Sequence, residues 1–517
     1  MVLLGGLVGP SDGTRPPPAY APPLRGYVVR VTEATERAEA TDRPHDDRWR
    51  ALSVCLVAGG MCLLDVSIVN VALPSIATGL EADDSQLQWI VAGYTLAFGM
   101  TLVPAGRLGD ARSRRTVFLW GVGLFTLASA ACGASPDATT LAVARVVQGV
   151  GGGLITPQVS GFIQNLFRGP ERGRAFGLFG ASIGISTAIG PLLGGLLVQL
   201  GGPDLGWRLV FYVNLPVGLT LVVLALRWLP AAREGRRQSL DPVGVLLFGA
   251  AVLLVLLPVV EGEQGAPLSA RPWWLLGVAA ALLVAFWLWE RRWAARGRET
   301  LVDLHLARVP SYVFGVALGS AYFAGFTAIF LTLTLYLQQG LGYSPLQAGL
   351  TQLPFALGSA VSSFTGGRLV TRLGRVLVLA GLVTVALALL AVDLVAPHLD
   401  GRVGMWLAPL LLLAGLGGGF VISPNVTLSL DEVAPERAGA GGGLLQTAQR
   451  VGSALGVAVV LAQFFDVLAR TGDHAEAFSR SLRTVVGLVV LAAVLAVVDL
   501  VRRVRADRRE APARTPR

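Results

Sequence analysis

The residues best suited to chemistry in this 517-residue sequence are ionisable groups set inside long apolar runs. Asp65 sits in the middle of LDVSIVNVALP (64–74). A charge at mid-bilayer depth costs about 2.5–3.5 kcal/mol on insertion scales. Two roles are open to Asp65: a proton or cation site, or a neutral acid that hydrogen-bonds neighbouring helices. Intramembrane carboxylates usually mark pathways, and the first role is the reading adopted. Arg145 lies in ARVVQGVGGG (144–153). It stays protonated and so must face water, a carbonyl or a carboxylate. It would bias the ionisation of Asp65 if the two helices approach; otherwise it snorkels to an interface about two turns away. Arg450 and Asp393 are weaker candidates, nearer to where an interface falls.

Two further runs carry small or charged residues in a pattern. In GASIGISTAIGPLLGG (180–195) the glycines allow close helix approach, and Pro191 removes a backbone bond and bends the helix. Gly190, Pro191, Gly194 and Gly195 are expected to pack tightly and to take part in a conformational change. The short loop GRLGDARSRR (106–115) is either an orientation signal alone or a charge cluster. As a cluster, Gly106, Asp110, Arg114 and Arg115 would latch two helix ends. Cys55, Cys62 and Cys132 all lie in apolar runs, without a CxxC pattern or a disulfide framework. The four histidines, at 45, 305, 398 and 474, are scattered through loops and tails. No metal site, cofactor or enzymatic cluster is expected.

The elements that must position these residues follow from composition. AVILMFWYC residues make up 53% of the chain and charged residues 15%. With glycine added and tyrosine left out the apolar share is roughly 64%, against about 45–50% in globular domains. Mean hydropathy is +0.63. Such a chain cannot cover a soluble surface with polar groups, so lipid is its solvent. That excludes a disordered chain, a coiled coil and a soluble enzyme with one anchor. From residue 51 the sequence is a series of apolar stretches near the ~20-residue spanning length. Fourteen are expected, at 51–78, 86–107, 115–134, 138–162, 173–200, 207–228, 242–260, 272–291, 310–338, 345–368, 374–396, 404–429, 438–466 and 482–502. The first 50 residues, rich in Pro, Arg, Thr and Asp, read as a disordered cytoplasmic tail.

Net charge is +9, and every basic residue is arginine. The arginines alternate. One set of loops carries them at 107–115, 168–174, 227–237, 290–298, 368–375 and 502–509; the other set carries EADD (81–84), SPD (135–137) and EGE (261–263). Positive loops stay inside, which places both termini in the cytoplasm and removes the need for a nucleic-acid partner. An internal repeat is also visible. Gly106-Arg107-Leu108 reappears as Gly367-Arg368-Leu369, Arg114 as Arg375, and Pro170-Glu171-Arg172 as Pro435-Glu436-Arg437. The expected fold is therefore all-α and membrane-embedded: a six-helix half (51–228), two extra central helices (242–291), a second six-helix half (310–502) and a tail (503–517). Duplicated halves around a midplane site are the architecture of secondary transporters.

These motifs together resemble the major facilitator superfamily, in particular its drug:proton antiporter family with 14 spans. LDVSIVNVALP resembles the span-1 signature lDxTxxNxALP, with Ser67 in the threonine place. GRLGDARSRR resembles the loop motif GxLaDrxGrr, ARVVQGVGGG the span-4 motif RxxQGxGaa, and GPLLGG (190–195) the antiporter motif gxxxGPxxGG. GWRLVFYVNLPVG (206–218) and YSPLQAGL (343–350) resemble the starts of spans 6 and 10. There are departures. Ala111 replaces a basic residue, Ser113 replaces the loop glycine (a stiffer turn), Thr371 replaces Asp in the second copy, and Ser186 replaces the first glycine of the antiporter motif.

The resemblance implies alternating access driven by protons, with export of drugs, antibiotics or other lipophilic or cationic small molecules from a cell membrane. It assigns Asp65 and Arg145 to coupling or substrate handling, Asp110, Arg114 and Arg115 to a cytoplasmic latch, and Gly190, Pro191, Gly194 and Gly195 to a hinge. A nutrient or metabolite transporter on the same fold, and a membrane sensor that binds without transporting, are the alternatives. The partners implied are a small-molecule substrate, protons and the bilayer, with a monomer as the default state. An alkaline phosphatase fused after Arg517 is expected to be inactive and a fluorescent protein fused there bright; the reverse pattern would overturn the orientation.

Overall fold

The computed structural model describes residues 45–230, 241–260, 272–298, 300–302, 305–396, 399, 403–434 and 438–510. The amino-terminal tail and the second Pro-Glu-Arg copy (435–437) lie outside them. Fourteen helices run through the described residues. The first six are α1 (His45–Gly79), α2 (Asp84–Ala111), α3 (Arg114–Ala134), α4 (Ala138–Leu166), α5 (Gly169–Gly202) and α6 (Asp204–Trp228). Two follow, α7 (Pro242–Val260) and α8 (Trp274–Ala295). The last six are α9 (Pro310–Gly340), α10 (Pro345–Leu373), α11 (Arg375–Val395), α12 (Val403–Leu430), α13 (Ala438–Thr471) and α14 (His474–Glu510). The all-helical fold expected from the sequence is the fold observed.

Twelve of these helices are each long and apolar enough to cross a membrane. The other two are α7, whose apolar stretch is shorter, and α10, which turns Thr351, Ser359, Ser362 and Ser363 into the protein interior. Loop chemistry sets the boundaries. Asp83 and Gln86 close a capping box on α2, Asp137 caps α4, and Ser344 and Gln347 close a box on α10. The backbone N–H of Thr140 holds the exposed Asp137 carboxyl below the usual carboxylate range. Helix α1 begins at His45, ahead of the apolar run, because its first turn has partners: Arg48 pairs with Glu171 at 3.2 Å and Trp49 packs on Phe167. The chain bends between α5 and α6 at Gly202, where φ is +67° and ψ −167°, a conformation that only glycine adopts readily. The helical assignment is continuous through Pro191 to Gly202.

Helices α7 and α8 pack on each other and, through α7, on α2 and α13, at the seam between the halves. The pair is tied at its Arg-rich end by buried acids. Asp241 accepts from Trp289 Nε1 at 2.9 Å and from the Gly244 N–H at 3.0 Å, and Glu290 accepts from the Leu301 N–H at 3.1 Å. The second half has its own buried tie. Arg375, the counterpart of Arg114, donates to Asp499 at 2.6 Å, to Asn425 Oδ1 at 2.5 Å and to the Ser311 carbonyl at 2.9 Å, joining α9, α11, α12 and α14. Breaking a buried pair by removing one partner costs about 3–5 kcal/mol, while replacing both by apolar groups costs much less. Asp499→Asn should therefore lower the thermal midpoint of the detergent-solubilised protein by several degrees. The double variant Arg375→Met, Asp499→Leu should recover part of that loss; equal losses in the two would show that the pair is not the tie.

Candidate functional site: a buried ion pair beside a central cavity

Asp65 and Arg145 meet. Arg145 Nη1 lies 2.5 Å from Asp65 Oδ2, and both side chains are fully buried. Gln148 Nε2 donates to Asp65 Oδ1 at 2.8 Å and to Ser129 Oγ at 2.8 Å; Asn214 Nδ2 donates to Asp65 Oδ1 at 3.0 Å. Arg145 also donates to Gln148 Oε1 at 2.7 Å and, through Nε, to the Ile90 carbonyl at 3.0 Å. Its guanidinium lies 4.3 Å over the Tyr94 ring. One knot thus gathers α1, α2, α3, α4 and α6, and each charge in it is answered by several hydrogen bonds, as buried ions require. Sequence reading missed Gln148, Ser129 and Asn214. Two of these had a signal: Gln148 stands one helical turn after Arg145 in the same motif, and Asn214 stands in GWRLVFYVNLPVG.

The knot does not line the space where a substrate would sit. A cavity of about 260 Å³ lies between the halves, bounded by α1, α2, α4 and α5 on one side and α9, α12 and α13 on the other. On α1 it is lined by Gly59, Leu63, Val66, Ser67 and Asn70, which share one helical face. Asp65 falls on the opposite face. In this arrangement Asp65 lies behind the cavity wall and not on it. Arg450, rated a weaker candidate from sequence, is the charged residue that does line the cavity. The other walls combine six phenylalanines, Phe98, Phe176, Phe179, Phe323, Phe326 and Phe330, with polar side chains such as Gln446, Gln449 and Thr327. Asp393 lies far from it, near the end of α11, bonded to Ser479 and to Arg483.

The antiporter run links the two features. A Cβ on Gly190 would overlap Ser67, and one on Gly194 would lie 2.9 Å from Ile68 Cγ1. Both glycines hold α5 against the α1 segment that carries Asp65. Gly195 has nothing within 4 Å of the position a Cβ would take. Ser186, the replacement in this motif, faces Gly60 of α1.

The cavity is sealed at the Arg-rich helix ends. Asp110 accepts from the N–H groups of Gly439 and Ala440 at 3.2 and 2.9 Å, capping α13 from the other half. Arg114 holds Asp110 at 2.7 Å and donates to the Gly161 carbonyl at 2.8 Å. Gln164 bonds the Leu430 carbonyl, Arg172 pairs with Asp431 and Gln446 bonds Ser160. Two glycine contacts related by the repeat complete the seal. A Cβ on Gly106 would overlap the Gly439 carbonyl, and one on Gly367 the Gly173 carbonyl. Arg115 is not in the seal: it donates to the Leu226 carbonyl within its own half. Ser113 is no handicap, since its backbone is extended (φ −155°) and its side chain caps α3. These hydrogen bonds between the halves all lie toward the Arg-rich ends.

Residues 55–457 match the family model described as Major Facilitator Superfamily. The chain belongs to the major facilitator superfamily. It is 37% identical over 462 residues to a probable actinorhodin transporter of Streptomyces coelicolor, covering 89% of this chain and 78% of that one. It is 37% identical over 484 residues to a puromycin resistance protein of Streptomyces alboniger, covering 90% and 94%. Among solved structures, the human organic anion transporter TETRAN superposes with a TM-score of 0.62 at 16% identity, over 88% of this chain and all of that one; this likeness concerns the helix arrangement alone. As a facilitator the chain is a multi-pass membrane transporter and not an enzyme.

A side chain at Gly106 or Gly367 must push the two halves of this facilitator apart. Overpacking of this kind costs about 1–3 kcal/mol, a shift of roughly five- to a hundredfold between closed and open seals. Spin labels at Arg112 and Arg372 should report a longer and broader distance in Gly106→Leu than in the parent. An unchanged distribution would mean that the glycine contact does not hold the seal.

Proposed function

We propose that this facilitator exports drug-like or antibiotic-like small molecules in exchange for protons, by alternating access, with its Arg-rich loops and both termini in the cytoplasm. The observation that carries this reading is the buried Asp65–Arg145 knot, set back to back with a cavity that is sealed on the Arg-rich side. With positive loops inside, the sealed side is the cytoplasmic one. The relatives named for antibiotic export or resistance support the substrate class.

The coupling runs through one helix. Arg145 stands seven residues from the start of α4 at Ala138, about 10 Å at 1.5 Å per residue. A proton reaching Asp65 from the outer side neutralises the partner of Arg145. The knot then loses its central charge, and Gln148 and Asn214 lose their strongest acceptor. The opposite face of α1 carries Ser67 on the cavity wall and against Gly190 of α5. A shift of α1 therefore reaches the cavity and the seal together, because α5 also bears the Gly173 contact with α10. Protonation and substrate binding favour different states, and their linkage is reciprocal. One proton moving down 100 mV supplies about 2.3 kcal/mol, enough for a roughly fortyfold gradient of a neutral solute.

Asp65→Asn keeps the shape and an acceptor for Arg145 but removes the exchangeable charge. In inverted vesicles it should lose gradient-driven transport of a panel of aromatic antibiotics at least about tenfold, while keeping exchange of labelled for unlabelled compound without a gradient. Asp65→Glu should keep part of both. Gradient-driven transport by the Asn variant at the parental rate, at matched expression, would place the proton site elsewhere.

A further inference from the structure

The central cavity is lined by one formal charge, Arg450, and by no carboxylate. Arg450 lies on α13 with Gln446, Gln449 and Ser453, all on the face that meets the cavity. It stands twelve residues from Ala438, about 18 Å from the Arg-rich end of the helix. Its guanidinium lies 4.7 Å over the Phe98 ring. Among the described residues it has neither an ion pair nor a hydrogen bond, unlike Arg145, Arg114 and Arg375. The acid on the neighbouring cavity helix, Asp65, faces the other way and is already occupied by Arg145, Gln148 and Asn214. Ser423 Oγ, also on the cavity wall, is buried without a partner.

A guanidinium left without a counter-ion among phenylalanines is costly unless something that enters the cavity answers it. Its fork of N–H donors matches a carboxylate or phenolate oxygen. A cationic guest would gain from the ring faces but would meet a like charge at Arg450 with no carboxylate on the cavity wall to offset it. We infer that the cavity is built for an aromatic anion, a fused-ring carboxylate or phenolate. Its rings lie among Phe98, Phe176, Phe179, Phe323, Phe326 and Phe330, and its charge pairs with Arg450. This rests on the exporter reading above and narrows its substrate; of the lipophilic or cationic cargo that the family resemblance implies, it keeps the lipophilic part and replaces the cation by an anion.

The test uses the full-length protein in lipid nanodiscs and equilibrium dialysis with three probes: anthraquinone-2-carboxylate, its neutral carboxamide, and tetraphenylphosphonium. The parent should bind the carboxylate at least about tenfold tighter than the amide, the size expected of a desolvated charge-assisted pair, and tetraphenylphosphonium most weakly. In Arg450→Gln the preference for carboxylate over amide should vanish, and Arg450→Lys should keep part of it. Because the readout is a ratio within one protein, a general loss of binding does not imitate it. Equal or tighter binding of tetraphenylphosphonium by the parent, or an unchanged ratio in Arg450→Gln, overturns the proposal. Gradient-driven transport separates the two readings. A carboxylate that binds through Arg450 but is not moved counts against the exporter and for this site. A cation that is moved while the carboxylate is not bound counts for the exporter and against this site.

Discussion

A charge cannot stay bare inside a helix bundle immersed in lipid, and the arrangement of this protein follows from how each buried charge is answered. Asp65 and Arg145 neutralise each other and recruit Gln148, Ser129 and Asn214, so that one acid on α1 gathers five helices. Arg375 and Asp499 do the same for the second half. Asp110 and Arg114 form a third pair, and its remaining acceptor capacity caps a helix of the opposite half. Arg450 departs from this pattern: it faces the cavity, and among the described residues it has no ion pair.

The two halves carry copies of one motif but use them differently. In the first copy Asp110 accepts from the start of α13 and so belongs to the seal. In the second, Thr371 stands at that place and bonds only the Arg368 carbonyl of its own helix. There the seal rests on the Gly173–Gly367 approach and on the Arg172–Asp431 pair. Arg375, freed from an acid at 371, is committed to Asp499 instead. The turns differ for the same reason. Ser113 has extended backbone and caps its helix, whereas Gly374 has φ of +52° and ψ of −132° and has to be glycine. The Arg-rich ends of the two halves are therefore held by backbone contacts, two carboxylates (Asp110 and Asp431) and the amides of Gln164 and Gln446.

The extra pair α7–α8 adds a flank to this design. Its acids Asp241 and Glu290 are turned inward at the Arg-rich end, bonded to Trp289 and to the Leu301 backbone. Phe248 and Phe286 join the two helices at a ring separation of 5.4 Å. The pair is thus tied together, and because α7 touches both α2 and α13 it bridges the two helices whose glycines meet in the seal.

Much of this was legible in the one-dimensional order of residues. Hydrophobic length and the alternation of arginine loops gave the helices and their sequence, because in lipid each span has to satisfy its own backbone. The repeat of Gly106-Arg107-Leu108 as Gly367-Arg368-Leu369 marked the two halves, and Asp65 and Arg145 stood out because charge in an apolar run is rare. What the order of residues could not decide was direction. Whether Asp65 or Arg450 faces the cavity depends on how each helix is rotated against neighbours that are distant in sequence, and apolar spans with almost no polar face carry little record of that rotation. The same holds for Gln148 and Asn214, whose part in the knot exists only once α4 and α6 close around α1, and for Arg115 and Gly195, which share motifs with residues of the seal and of the α1–α5 contact but point elsewhere. The types and spacing of residues settled which groups could do chemistry; packing of the helices settled which of them meet each other and which faces the cavity, because a side chain's partners are chosen by the face it presents.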